Sequence, residues 1–249
     1  MAQIANVKRK LKRAKAHLDA LDVEIAKFAK KETYMFSSKD DAERGEYVVT
    51  VRTKGKPPLD CAIVAGEFIG CLRSALDYLA FQLSSMSGKA PSSEVSFPVF
   101  GENSVDTQVR IARKTYGIPD PAVVIIKALQ PYNSGNAYKS TYLWRLNKLW
   151  NIDKHRHIPL YAAIGYVNLP RLPFALKPEI DVLNQGGVSE YIMRFPAAAK
   201  PYVDLKPRVS VDVQFGRDSE GVVVSRKDLH DMYEFVSNEV VPRFARFFK

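Results

Sequence analysis

Residues 60–86 read DCAIVAGEFIGCLRSALDYLAFQLSSM, and this stretch decides the fold. At ~100° per residue, Phe68, Ile69, Leu72, Leu76, Leu79, Ala80 and Leu83 fall on one side of a helix, a broad apolar face that has to be buried. Gly88 and Pro91 close the helix. Arg73 and Asp77 sit one turn apart at the edge of that face, in the same stripe as Gly66 and Gly70. Glycines there remove side-chain bulk and let another backbone approach, while Arg73 and Asp77 can pair with each other.

Upstream, Ile4, Val7, Leu11, Ala14, Leu18, Leu21, Ile25 and Phe28 recur at steps of three and four, which predicts a long helix over residues 3–31. Glu46 to Thr53 (EYVVTVRT) alternates and is β-branched, a strand signal. Downstream, Glu94 to Phe100 (EVSFPVF) reads as extended and is interrupted by Pro98. Helices are expected near 104–115, 120–129 and 140–156. After Pro159 the character changes. Leu160–Asn168, Glu190–Phe195, Arg208–Phe215 and Gly221–Val224 read as strands, and a last amphipathic helix runs from about Arg226 to Phe248, with Pro242 expected to kink it.

The predicted class is therefore α+β: a bundle-like helical core packed with a small, mostly antiparallel sheet. Its helices are the long N-terminal one, those near 60–86 and 140–156, and the C-terminal one. A single domain over 1–249 is expected, with a helical part to about 157, a strand-rich part over 158–225 and a closing helix over 226–248.

A hydrophobic fraction of 46% with 26% charged residues belongs to a globular chain rather than a disordered one. No apolar run approaches the roughly 20 residues that a bilayer span needs, so no membrane association is expected. The first residues lack the apolar core of a secretory signal, and Cys61 and Cys71 are the only cysteines. Ten positions apart on one helix they would lie ~15 Å from each other, too far for a disulfide, so a reducing, cytoplasmic setting is expected. No metal or cofactor motif is present: phosphate-binding glycine loops, dinucleotide turns and a His-Glu-x-x-His pair are all missing. The net charge is +10, and residues 1–31 supply +6 of it, with nine Lys or Arg against Asp19, Asp22 and Glu24. Such a helix suits RNA or another polyanion.

The second chemically rich stretch is Asn151-Ile152-Asp153-Lys154-His155-Arg156-His157. Leu143, Leu146, Leu149 and Trp150 define the apolar face of its helix, and Asp153 projects onto that face. A carboxylate there needs a cation or several donors, and Arg73 is the candidate cation. Asn147, Asn151, Lys154 and His155 form a polar stripe opposite, where His155 can act as a general acid or base. The aromatic-rich run from Tyr132 to Trp150 can pack in the core or stack on bases.

The succession Leu72-Arg73-Ser74-Ala75-Leu76-Asp77-Tyr78-Leu79-Ala80, Phe97-Pro98-Val99-Phe100, Leu129-Gln130-Pro131-Tyr132 and Asn151-Ile152-Asp153-Lys154-His155-Arg156 resembles a widespread group of bacterial proteins. That likeness covers about residues 60–160 and carries no activity with it. The chain more distantly resembles the HEPN superfamily, helical proteins of which many are metal-independent ribonucleases with four to six residues between an Arg and a following His. Here Tyr78 stands where the shortest spacing puts that His, so an equivalent site would have to bring His155 to Arg73.

The HEPN resemblance implies a metal-free reaction with Arg73, Asp153 and His155 as catalytic residues. His155 would move the proton and Arg73 and Lys154 would stabilise phosphorane charge. Asp77, Asn147, Asn151, Lys154 and Arg156 are the candidate binding residues. The first expectation is nonetheless a polyanion- or nucleic-acid-binding or interaction protein whose polar motifs lock helices together. The metal-independent ribonuclease and a small-molecule sensor are the alternatives, and homo-oligomerisation is compatible with all three.

Overall fold

The computed structural model describes residues 4–30, 34–88, 91–168, 172–185, 188–203, 208–217, 219 and 221–248. Gln3 and Lys31, the expected ends of the first helix, lie outside the described residues, as does part of the Pro- and Gly-rich connections between the later strands. The chain is α+β and divides into two compact units, each built from separate stretches of sequence. The first comprises residues 1–21, 62–158 and 216–249; the second comprises 22–61 and 159–215.

In the first unit, α1 (Ile4–Ala29, of which the part to Leu21 belongs here) buries Val7, Leu11, Ala14 and Leu18. It packs antiparallel on α2 (Leu59–Ser85): His17 Nδ1 lies 3.0 Å from Glu67 Oε2, and Lys10 sits over the Tyr78 ring. The expected face of α2 is the observed one, since Phe68, Ile69, Leu72, Leu76, Leu79, Ala80 and Leu83 are all fully buried. After α2 the chain runs extended through Phe97–Phe100, then forms α3 (Val105–Lys114) and α4 (Asp120–Ala128).

A stretch of 3-10 helix over Pro131–Ser140 leads to α5 (Tyr142–Asp153). After the chain re-enters this unit at Gly216, strand β7 (Val222–Ser225) hands over to α6 (Arg226–Glu234) through a capping box in which the Ser225 and Asp228 side chains satisfy each other's backbone N–H. Pro242 has no N–H to give, and its ring would collide with the preceding turn of an α-helix. The backbone accommodates it by widening to a π-helical turn over Phe235–Val240 and tightening to 3-10 over Val241–Phe248. Phe244 then meets Phe97 edge to face, with ring centroids 6.5 Å apart.

The second unit holds an antiparallel sheet ordered β1-β2-β5-β4, with β1 at Tyr34–Asp41, β2 at Glu46–Thr53, β4 at Glu179–Gln185 and β5 at Val188–Pro196. Strand β2 supplies Tyr47, Val49 and Val51 to a core shared with Met193 and Phe195 of β5 and with Ala199 and Val203. Thr53 and Ser189 are both buried and satisfy each other: Ser189 N–H donates to Thr53 Oγ1 at 2.9 Å, and that hydroxyl donates to Ser189 O. A second antiparallel ladder joins β3 (Leu160–Asn168) to β6 (Arg208–Arg217), with a bulge between Ile164 and Tyr166. Cys61 and Cys71 are both free thiols, and burial, with Glu24 and Asp60 adding, pushes the Cys61 thiol up to about 11. No helix among the described residues is long and apolar enough to cross a membrane.

Candidate functional site

The extended segment after α2 has no sheet to join, and Pro98 could not donate to one. Its backbone groups are satisfied instead by side chains. Arg73 NH2 donates to Phe97 O at 2.7 Å, and Phe97 N–H donates to Asp77 Oδ1 at 3.0 Å. Arg73 NH1 closes the square by donating to the same Asp77 oxygen at 2.6 Å, and its Nε donates to Asn147 Oδ1 of α5 at 3.3 Å. Gln130 treats the next residues alike: Phe100 N–H donates to its Oε1, while its Nε2 donates to Pro98 O and to Ile126 O. The backbone N–H of Ser96 donates to Lys114 O, and that of Tyr132 to Phe100 O. Three side chains, two from α2 and one from the turn after α4, thus serve as the missing strand partners.

Arg73 is only 7% exposed, which makes this network expensive to break. Of the sequence-derived candidates, Arg73, Asp77 and Asn147 come together here. Asp153 and His155 are not among Arg73's partners, so the expected Arg73–Asp153 pairing is replaced by the Arg73–Asp77 one. Arg73 and Asp77, four positions apart on α2, hold Phe97 between them.

Asp153 rests instead against Gly66, where an alanine Cβ would come within 2.2 Å of its Oδ1. Gly70 admits the Trp150 ring in the same way, at 3.2 Å. The two glycines therefore make room for α5 side chains rather than for a backbone. Burial raises the Asp153 carboxyl above the usual carboxylate range, and the neighbouring His157 offsets this only in part. Asn151, Lys154, His155 and Arg156 are exposed, and Lys154 lies over the Trp150 ring. The aromatics around them pack with each other: Tyr138 meets Trp144 edge to face and Tyr142 meets Phe235.

A raised carboxyl takes up its proton more readily in the folded chain than in the unfolded one, so ionising it costs stability. That cost is absent below the unfolded carboxyl's titration and fully present above the raised folded one. Asp153→Asn cannot ionise. Its melting temperature relative to the parent is expected to rise between pH 4 and pH 7, by the equivalent of at most ~1 kcal/mol because water screens a half-buried group. Paired melts at the two pH values check this, and a difference that stays flat or falls with pH contradicts it.

Reasoning from sequence did not single out a second feature of this unit. On α2, Tyr78 and Phe81 are 43% and 45% exposed, one turn apart. Lys10 of α1 stands 5.3 Å above the Tyr78 ring. At ~100° per residue, Arg13 lies on the same flank of α1 as Lys10, away from the flank of Lys8 and Lys12, while Arg9 lies on the outer face between the two flanks. Arg13 is exposed and Lys10 half-buried, so two cations share the flank of α1 that meets the Tyr78 ring, with Phe81 one turn further along α2. Among the described residues, no group of three His, Cys, Asp or Glu side chains could hold a metal ion. No family model, curated protein or solved structure matches the chain.

Proposed function

We propose that this protein binds single-stranded nucleic acid, RNA foremost, through the α1–α2 face of its first unit. The observation that carries the reading is Lys10 over the exposed Tyr78 ring, which puts an α1 cation against an open aromatic that has a second, Phe81, one turn away. Cations following a phosphate backbone beside rings on which bases can stack is how strands are held without regard to sequence. Stacking on an aromatic contributes ~1–3 kcal/mol per base, and exposed phosphate contacts add an affinity that salt removes. The free thiols of Cys61 and Cys71 support a reducing, cytoplasmic setting.

On this reading Arg73 and Asp77 are the frame rather than the chemistry: both are engaged with Phe97 beneath the surface that carries Tyr78. Fluorescence anisotropy with a labelled oligouridylate in EDTA tests the proposal. Tyr78→Ala combined with Phe81→Ala is expected to weaken binding about tenfold or more while leaving the melting temperature unchanged, because both rings are open to water. Equal affinities, or no binding by the parent, would overturn it.

A further inference from the structure

A depression of about 320 Å3 on the same unit is lined by Ser93, Glu94, Ser96, Arg110, Arg113 and Lys114. We infer that it seats a phosphoryl group between Lys114 and Arg110, with the Ser93 and Ser96 hydroxyls beside it.

The charge arrangement leads to this. Glu94 is the one carboxylate in the lining, and Arg113 grips both its oxygens, Nε to Oε2 at 3.0 Å and NH2 to Oε1 at 2.7 Å. Its charge is thereby cancelled. Asp77, behind the depression, is likewise committed to Arg73 and to Phe97 N–H. Among the described residues, Lys114 and Arg110 remain without a paired carboxylate: the Lys114 ammonium donates to Ser96 Oγ, at 2.8 Å, and the Arg110 guanidinium lies over the Phe100 ring, 4.7 Å from its centroid. A half-buried ammonium with two N–H donors to spare, one helical turn from a second cation and sharing its depression with two hydroxyl groups, is matched by a compact dianion with several acceptor oxygens. Burial and the nearby Arg73 lower the Lys114 amine from its usual range, Arg110 adds to this, and Asp77 and Glu94 only partly oppose it. A bound phosphoryl dianion would reverse that shift.

Two sources present this chemistry: a free phosphomonoester, or the terminal phosphate of a strand crossing Phe81. The second would carry a strand from Phe81 past Asp77, one turn away on α2, towards Ser96, whose neighbour Phe97 is held by Asp77. The inference itself does not depend on RNA binding.

The test is calorimetric titration of inorganic phosphate at constant ionic strength into the full-length protein, Lys114→Met, Arg110→Gln and Lys12→Gln. Binding by the parent and by Lys12→Gln, weakened about tenfold or more in each of the other two with their melting temperatures retained, is the expected result. Absence of phosphate binding, or equal binding in Lys114→Met and Arg110→Gln, would overturn the inference. A second arm compares 5′-phosphorylated and 5′-hydroxyl hexauridylate. A preference for the phosphorylated strand that disappears in Lys114→Met assigns the seat to a strand end. Equal affinity of the two strands alongside Lys114-dependent phosphate binding assigns it to a small phosphomonoester. If neither strand binds while inorganic phosphate still does, the seat stands and the single-strand reading falls.

Discussion

Replacing Arg73 by methionine is expected to lower stability by ~3–5 kcal/mol, the usual consequence of removing one partner from a buried charge network. The substitution keeps most of the side chain's volume, so the loss comes from what is left behind. Phe97 O loses its only described donor, Asp77 keeps a charge with no guanidinium, and Asn147 Oδ1 loses its partner. Asp77→Asn leaves the opposite remnant, a buried guanidinium facing a neutral amide. The two changes should be strongly non-additive, with the double variant well short of the summed cost, because both act on one network. Urea denaturation of the four proteins of this cycle measures the coupling. A cost below about 1 kcal/mol for Arg73→Met would mean that the extended segment is held by packing alone.

Gln130→Leu comes next. The residue is 2% exposed, and its amide serves Phe100 N–H, Pro98 O and Ile126 O. Leucine fills a similar space and offers none of these bonds. An expected loss of ~2–3 kcal/mol follows from leaving a buried N–H and a buried carbonyl unpaired. Hydrogen exchange at the Phe100 amide gives a local readout: protection should fall in Gln130→Leu and stay unchanged in Asp153→Asn. Unaltered protection would show that Gln130 does not hold the segment.

Much of the fold was legible because burial imposes a period. The stripes of α1 and α2 and the alternation of β2 belong to elements with a deeply buried side, and their observed limits fall within two residues of those expected. The strands that escaped, β1 and β4, are the two edges of their sheet. Beyond Tyr34 and Phe36, β1 turns toward water with Lys39, Asp40 and Asp41, while Ile180, Val182 and Leu183 of β4 are all about half exposed. An edge strand with little to bury leaves no alternation to read. The 3-10 stretch over Pro131–Ser140 escaped as well: its Gly135 at φ 53 breaks any helical period.

At the candidate site the sequence exposed the pair and hid its purpose. Arg73 and Asp77 are a turn apart, so their bond is local. What they hold, Phe97, lies 20 and more positions away, and no spacing rule reaches it. Asp153 was read correctly as facing inward, but it rests on the space left by Gly66 rather than on Arg73. Tyr78 and Phe81 stand at the margin of the apolar face of α2, where sequence gives no sign of whether a neighbour covers them. Their exposure emerges only from the packing of α1 on α2.

The most direct test of the proposed nucleic-acid face is the salt dependence of oligouridylate binding. The parent would be compared with Lys10→Gln/Arg13→Gln on the Tyr78 flank of α1 and with Lys8→Gln/Lys12→Gln on the opposite flank. Each phosphate contact on a single strand contributes ~0.7 to the slope of log affinity against log salt. The first variant is expected to lose about 1.4 from the slope and the second very little. Identical slopes for all three proteins, or an equal loss from either flank, would contradict a strand bound along Tyr78 and Phe81.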